Sequence, residues 1–154
     1  MCRWMAYQGK PVYIETLLFE PEHSLVHQSL SARKSEVTVN ADGFGIGWYD
    51  EREEPGLYHE VMPAWSDCNL KSLAGHIRSN LFFAHVRAST GTATNRSNCH
   101  PFGYKNWLFM HNGQIGGYEK LRWHLDRLIP EHLYSYRRGA TDSEVIFLLM
   151  IANG

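Results

Sequence analysis

The sequence lacks a long apolar run, a basic run and an even set of cysteines, and each absence excludes a class of protein. Its longest apolar stretch, residues 145–152, is far shorter than the roughly 18 residues that a membrane-spanning helix needs. Lys and Arg total 15 against 16 Asp and Glu, and the longest basic run is Arg137-Arg138. We therefore expect no membrane segment and no nucleic-acid partner.

Cysteine is scarce. Cys2, Cys68 and Cys99 are an odd number without CxxC spacing, which argues against a disulfide framework and against a zinc site. The first residues also lack the charged region, long apolar stretch and small-residue cleavage site of a secretory signal. We expect a cytoplasmic chain with reduced thiols, of which one is a candidate for reactivity.

The residues that are present describe a globular domain. Hydrophobic residues make up 44% and charged residues 20%, with five Trp, eight Tyr and seven Phe. A chain of 154 residues is long enough for one domain with a core and too short for two comfortable ones. Predicted strands precede and separate a few helices without regular alternation, which favours an α+β sandwich over a doubly wound fold.

Apolar periodicity and turn residues place the main elements. We predict strands at 44–49, 58–61, 81–88 and 107–111, a strand and a short extended or helical piece within 7–19, and a helix from Tyr118 to Leu128. The polar residues 21–41 are interpreted as a long surface connection. A further helix starts after Thr141, because Thr141 and Glu144 have the spacing of a capping box.

The strand at 44–49 has one unusual face. Phe44, Ile46 and Trp48 share one side, whereas Gly45 and Gly47 leave the other side nearly bare. We expect another sheet or a ligand to approach that bare side closely.

Cys2 is the most unusual position for chemistry. Removal of Met1 would leave a thiol and a free α-amine on one residue, a nucleophile with its own base, because an α-amine titrates at about 7.7 to 8.0. The structural alternative is that a Cys after the initiator Met is incidental.

Three further positions have both a structural and a functional interpretation. Asn112-Gly113 is either a tight turn or an oxyanion hole made of an amide NH2 and a backbone N–H. Arg87, at the end of an apolar strand, is either paired with an acidic neighbour or a clamp for a carboxylate. Asp142 either complements a helix dipole or binds a cation such as an α-ammonium group.

Together these residues describe a γ-glutamyl amide as substrate, with a carboxylate, an ammonium group and a distant acyl carbon. The histidines at 85, 100 and 111 match no metal-binding spacing, so we interpret them as packed structural residues.

The residues resemble the class II glutamine amidotransferase domain of the N-terminal-nucleophile hydrolases, over essentially the whole chain. Short motifs occur in that family's order: Met1-Cys2-Arg3, Asp42-Gly43-Phe44-Gly45-Ile46-Gly47-Trp48, His85-Val86-Arg87-Ala88-Ser89-Thr90, Asn98-Cys99-His100-Pro101-Phe102, His111-Asn112-Gly113 and Thr141-Asp142-Ser143-Glu144. The start resembles that of the stand-alone bacterial members.

The resemblance implies a four-layer αββα sandwich and a thioester mechanism without a cofactor. Cys2 would be the nucleophile, Asn112 and Gly113 the oxyanion hole, and Arg87 and Asp142 the groups that hold the α-carboxylate and α-ammonium of glutamine. Thr90 would add a hydrogen bond to the bound amino acid.

Two departures from the family pattern leave the substrate open. Ala88 and Gly91 stand where the synthase-linked members have Trp and His, so the roof of the pocket must differ. The chain also ends where the family's sandwich continues, so we expect 1–154 to be a single domain that is incomplete at its C-terminus. We expect the uncovered strand edges and helix face to promote dimerisation or aggregation.

Three functions remain open on the sequence. They are a glutamine amidohydrolase or amidotransferase, a γ-glutamyl-peptide hydrolase of a thiol biosynthetic pathway, and an inactive γ-glutamyl-binding regulatory module. For the first two, the product goes to water or to a separate acceptor subunit, and a homodimer is also compatible with the sequence.

Overall fold

The computed structural model describes residues 2–32, 42–88 and 93–154, which form a mixed α/β structure with antiparallel sheets. The main sheet has the order β1-β4-β2-β3 and a separate hairpin pairs β5 with β6. The strands are β1 (Arg3–Tyr13), β2 (Phe44–Tyr49), β3 (Gly56–Glu60), β4 (Arg78–Val86), β5 (Phe102–Tyr104) and β6 (Trp107–Phe109). The helices are α1 (Glu15–Leu18), α2 (Leu25–Ala32), α3 (Cys68–His76), α4 (Tyr118–Asp126), α5 (Glu131–Tyr134) and α6 (Asp142–Asn153).

One face of the main sheet forms the larger core with α1, α2 and α3. This face alternates along each strand, so β2 contributes Phe44 and Ile46 while β4 contributes Phe82, Ala84 and Val86. The helices supply the covering side chains, among them Leu18, Leu25, Leu70 and Ala74. Burial of this apolar area is the main force that holds the sheet and the first three helices together.

The opposite face of β2 is the bare one, and the segment before and within the hairpin packs on it. A Cβ built on Gly45 would lie 2.2 Å from the carbonyl oxygen of His100, and one on Gly47 would lie 2.8 Å from Pro101 Cγ. The predicted close approach at this strand is therefore confirmed, and what approaches is the chain from His100 to Leu108.

A second core lies between the last three helices. It contains the buried side chains of Tyr118, Ile129, Leu133, Val145 and Leu148. The hairpin joins this core through stacked rings, because the Phe109 and Phe147 rings are 5.3 Å apart at 8°. The start of α6 is thereby held close to the end of β6.

Most predicted elements are present, with shifted ends. β2, β3, β4 and β6 occupy the predicted strands, and α4 and α6 the predicted helices. The prediction that residues 21–41 form a surface connection is wrong for Leu25–Ala32, which form helix α2. Ser24, directly before this helix, and Leu25, Val26 and Ser29 within it are buried. Ser29 is tolerated there because its hydroxyl donates to the Val26 carbonyl within the helix, at 2.7 Å.

Among the described residues, no helix is long and apolar enough to cross a membrane.

The glycine face of β2 yields a stability prediction. Gly45→Ala places a methyl group against a backbone carbonyl that cannot move without shifting the His100 turn, so we expect a loss of about 1–3 kcal/mol in the free energy of unfolding. Gly116→Ala is the control, because nothing lies within 4 Å of a Cβ there. Urea denaturation of both variants measures the difference, and equal stabilities would contradict the packing described above.

Candidate active site

Six separate segments of the chain converge on one cleft with a volume of about 170 Å³. They are the residue before β1, the end of β4 with the residues that follow it, the turn before β5, the loop after β6, the start of α4 and the start of α6. Five of the six predicted site residues line the cleft: Cys2, Arg87, Asn112, Gly113 and Asp142. The sixth, Thr90, lies outside the described residues.

Strand pairing places Cys2 in this cleft. β1 runs antiparallel to β4 with Arg3 opposite Val86, so Cys2 comes level with the residues that follow β4. The Cys2 thiol lies 3.3 Å from both the carbonyl oxygen and the amide nitrogen of Ala88. The amide can donate to the sulfur and would thereby stabilise a thiolate.

Asn112 lies directly against the backbone of Cys2. Its side-chain nitrogen donates to the Cys2 carbonyl at 3.1 Å. A primary amide has two N–H donors, so one donor remains for a ligand in the cleft. Gly113 follows, and a Cβ there would lie 2.8 Å from the His111 ring, so the absence of a side chain keeps this approach to the cleft open.

Asp142 holds the loop that carries Asn112 and Gly113. One carboxylate oxygen accepts from the Ile115 amide at 2.6 Å, and the other accepts from the Ser143 amide at 2.9 Å. Both interpretations of Asp142 remain compatible with this geometry, because each carboxylate oxygen has a further lone pair.

Arg87 is buried, with 4% of its surface exposed. Its guanidinium donates to the Asp42 carbonyl at 3.3 Å and its amide donates to the Gly43 carbonyl at 2.8 Å. The cleft therefore contains the positive charge of the buried Arg87 and the negative charge of the Asp142 carboxylate.

The start of α6 is held differently from the prediction. Thr141 caps the helix as expected, accepting from the Glu144 amide at 3.3 Å. The Glu144 carboxylate, however, does not complete the capping box. It accepts from the amides of Arg138 and Gly139 and forms a buried ion pair with Arg137.

Arg137 connects this helix start to α4. Besides Glu144, its guanidinium binds the carboxylate of Asp126 and the hydroxyl of Tyr118. Its side chain is only 5% exposed, so the ion pairs are shielded from water. Sequence analysis missed this network because no motif relates Glu144 to Arg137, Asp126 or Tyr118.

Two histidines form the inner wall of the cleft. His85 and His100 are 1% and 6% exposed, and their ring centroids lie 4.5 Å apart. Burial, together with the nearby Arg87 cation, lowers the pKa of His85 to about 4, and burial lowers the pKa of His100 further. Both rings are therefore neutral at physiological pH. No cluster of potential metal ligands occurs among the described residues.

His111 lies at the loop that carries Asn112. Its Nδ1 lies 2.9 Å from the Ser143 hydroxyl, so this ring is tied to the first turn of α6.

Residues 18–153 match the family model described as glutamine amidotransferases class-II. The probable glutamine amidotransferase DUG3 of Saccharomyces cerevisiae is 38% identical over 98% of this chain and 45% of its own length. The gamma-glutamyl-hercynylcysteine sulfoxide hydrolase of Mycolicibacterium smegmatis is 33% identical over 75% of this chain and 52% of its own length.

A solved structure is also similar. The glutamine aminotransferase class-II domain protein from Silicibacter pomeroyi superposes with a TM-score of 0.71 at 41% identity, over 98% of this chain and 55% of that one. The chain thus spans about half the length of the relatives it matches.

The surroundings of Cys68 and Cys99 predict different reactivity for their thiols. Burial raises the pKa of the Cys99 thiol to about 11, whereas Cys68 is exposed. Since the thiolate is the nucleophile, native protein treated with iodoacetamide at neutral pH should be alkylated at Cys68 and spare Cys99 until the pH approaches that value. Peptide mass mapping measures this, with urea-unfolded protein as the control in which Cys99 reacts. Equal labelling of Cys68 and Cys99 in native protein would refute the buried placement.

Proposed function

Because this chain belongs to the class II glutamine amidotransferases, we propose that it is a cysteine amidohydrolase acting on the side-chain amide of glutamine or of a related γ-glutamyl compound. The observation that carries the proposal is the convergence of Cys2, Arg87, Asn112, Gly113 and Asp142 on one cleft from segments that are distant in sequence. The activity of the whole protein is part of this proposal, since its relatives are about twice as long.

The proposed nucleophile is the thiol of Cys2 after removal of Met1. The freed α-amine takes the thiol proton, sulfur forms a bond to the amide carbon, and the same proton is returned to the leaving nitrogen as the C–N bond breaks. The Ala88 amide, 3.3 Å from the sulfur, favours the thiolate. Water or an acceptor amine then cleaves the thioester on Cys2.

The proposed oxyanion hole uses the second N–H of the Asn112 amide and the backbone N–H of Gly113. The loop that presents both groups is already fixed by the bond from the Ile115 amide to Asp142, so little reorganisation accompanies the charge that develops on the substrate oxygen. In other acyl-transfer enzymes, removal of one such donor lowers kcat about 100- to 1000-fold.

The proposed anchors for the amino-acid end of the substrate are Arg87 and Asp142. Arg87 would bind the α-carboxylate, Asp142 the α-ammonium group, and Thr90 would add one hydrogen bond. The buried position of Arg87 strengthens such a pair because screening by water is weak there.

The finer architecture is also proposed. Contacts of the glycine face of β2 with the residues from His100 to Leu108, and helices on the outer side of each sheet, support a four-layer αββα sandwich of the N-terminal-nucleophile type with 1–154 in one domain. A cytoplasmic location suits a mechanism that requires a reduced thiol. We also propose that the chain associates with a second copy of itself or with a separate acceptor subunit.

A second candidate function is γ-glutamyl-peptide hydrolysis. One relative's name specifies a gamma-glutamyl hydrolase. A groove of about 510 Å³, lined by Arg3 and Trp4, also reaches Asn112, which lines the cleft as well. This groove offers room for a leaving group larger than ammonia, and Arg3 a positive charge for its carboxylate.

The two candidates predict different substrate preferences. If the groove takes the leaving group, kcat/KM for a γ-glutamyl dipeptide should exceed that for glutamine by tenfold or more, and Arg3→Gln should reduce only the former. Parallel assays of ammonia, free amine and glutamate release measure this. A higher value for glutamine that Arg3→Gln leaves unchanged would favour the glutaminase.

An electrophilic glutamine analogue tests the nucleophile. A diazoketone with glutamine's α-amino and α-carboxylate groups should alkylate Cys2 and leave Cys68 and Cys99 unmodified, because only Cys2 lies in the cleft that holds Arg87 and Asp142. Intact mass and peptide mapping detect the adduct. Cys2→Ala should abolish labelling and Cys68→Ala should preserve it; an adduct that persists in Cys2→Ala would reject the assignment.

Truncated substrates test the carboxylate clamp. Arg87→Ala should raise KM for glutamine strongly while leaving the thiol reactive, since it removes the partner of the α-carboxylate. The same variant should change KM little for 4-aminobutanamide, which has the amine and the amide but no carboxylate. Steady-state kinetics with both substrates gives the comparison, and equal losses for the two would show that Arg87 acts on the fold and not on the carboxylate.

A further inference from the structure

The buried side-chain nitrogen and oxygen atoms of the described residues have hydrogen-bond partners except at one place. Only the two ring nitrogens of His85 and the two of His100, among side-chain atoms of the described residues, are buried without a partner. Both rings line the same cleft as Cys2. Buried polar atoms are bonded to protein or ordered water in the large majority of cases, so four such atoms at one wall of a cleft point to a ligand that completes them.

Strand backbone and other rings surround both imidazoles. His85 is on β4, whose backbone pairs with β1 and β2 on both sides. His100 precedes Pro101, and its carbonyl lies against the bare face of Gly45 while its ring packs on Phe102 at 4.5 Å. The two imidazoles are in contact, with an angle of 31° between the rings, and no hydrogen bond joins them.

The chemistry of the rings selects the kind of ligand. A neutral imidazole offers one N–H donor and one nitrogen acceptor, so the pair suits a small neutral molecule that both donates and accepts. The α-carboxylate and the α-ammonium group of an amino acid would instead pair with Arg87 and Asp142, which line the same cleft. A water molecule meets the requirement, and the cleft of about 170 Å³ is small enough for that water to share the space next to the thiol.

We propose that His85 and His100 hold the water that hydrolyses the acyl-enzyme on Cys2. This rests on the proposed thioester mechanism. One imidazole nitrogen accepts from the water O–H and the other ring's N–H donates to its oxygen, which leaves one lone pair for the acyl carbon. The water oxygen bonds to that carbon, the C–S bond breaks, and the water proton passes to the α-amine of Cys2 and then to the departing sulfur. The rings stay neutral throughout and act as positioning residues.

The test separates formation of the acyl-enzyme from its hydrolysis. A γ-glutamyl anilide releases its chromophore on acylation, so rapid mixing followed by intact mass measures each step. His85→Phe and His100→Phe remove the polar atoms but keep a ring. We expect an unchanged acylation rate, a burst of about one chromophore per enzyme, accumulation of the Cys2 adduct and hydrolysis at least tenfold slower than in the wild type.

The matched variants and the wild type make the test decisive. His85→Asn and His100→Asn restore a donor and an acceptor and should recover part of the hydrolysis rate, and the exposed His132→Phe should leave both steps unchanged. Acylation and hydrolysis that fall together, or a raised KM without a burst, would overturn the proposal. If neither the wild type nor the two Phe variants form a Cys2 adduct while the anilide is consumed, the thioester mechanism itself fails.

A measurement on the unmodified protein covers the case in which the Phe variants do not fold. A crystal structure of the wild type should contain an ordered water within hydrogen-bond distance of an imidazole nitrogen of His85 or His100 and next to the Cys2 sulfur. Ordered solvent elsewhere in the cleft with none at the two rings would overturn the proposal.

Discussion

The pairing of β1 with β4 is the constraint on which the rest of the site depends. The register that sets Arg3 opposite Val86 brings the first residues of the chain beside the residues that follow β4. Eleven residues of strand follow Cys2 and hold it in place. Shifting the pairing by one residue would turn Cys2 to the other face of the sheet and separate its thiol from the Ala88 amide.

A second constraint fixes the opposite wall of the cleft. The loop with Asn112 and Gly113 is tied to Asp142, and α6, which carries Asp142, is held by the buried pair of Glu144 with Arg137. The hairpin and the bare face of β2 connect the two walls, because the His100 turn can approach Gly45 only where no Cβ intervenes. The site is thus assembled from backbone contacts and buried ion pairs that lie outside the reacting groups.

Sequence analysis anticipated the parts of the molecule that local patterns determine. Alternation marked β2, a run that is apolar on both faces marked β4, the Gly45 and Gly47 face predicted a close approach, and the Thr141 cap located the start of α6. The candidate residues Cys2, Arg87, Asn112, Gly113 and Asp142 came from motifs, and all five line one cleft.

The features that sequence analysis missed depend on contacts between distant segments. α2 lies within a polar stretch of the chain, and only the tertiary structure shows that its Leu25, Val26 and Ser29 are buried. The interaction of Glu144 with Arg137, Arg138 and Gly139 replaces the expected local bond of a capping box. The ring contact of His85 with His100 joins a residue of β4 to a residue of the turn before β5, and no spacing rule relates them.

The central claim is that Cys2 acts as an N-terminal residue, with its own α-amine as the base. The mass of the intact, purified protein tests this most directly when it is measured on the same sample that is assayed for glutamate release. The account predicts that the active protein is lighter than the encoded chain by one methionine residue, and that activity scales with the processed fraction. An active protein that fully retains Met1 would contradict it.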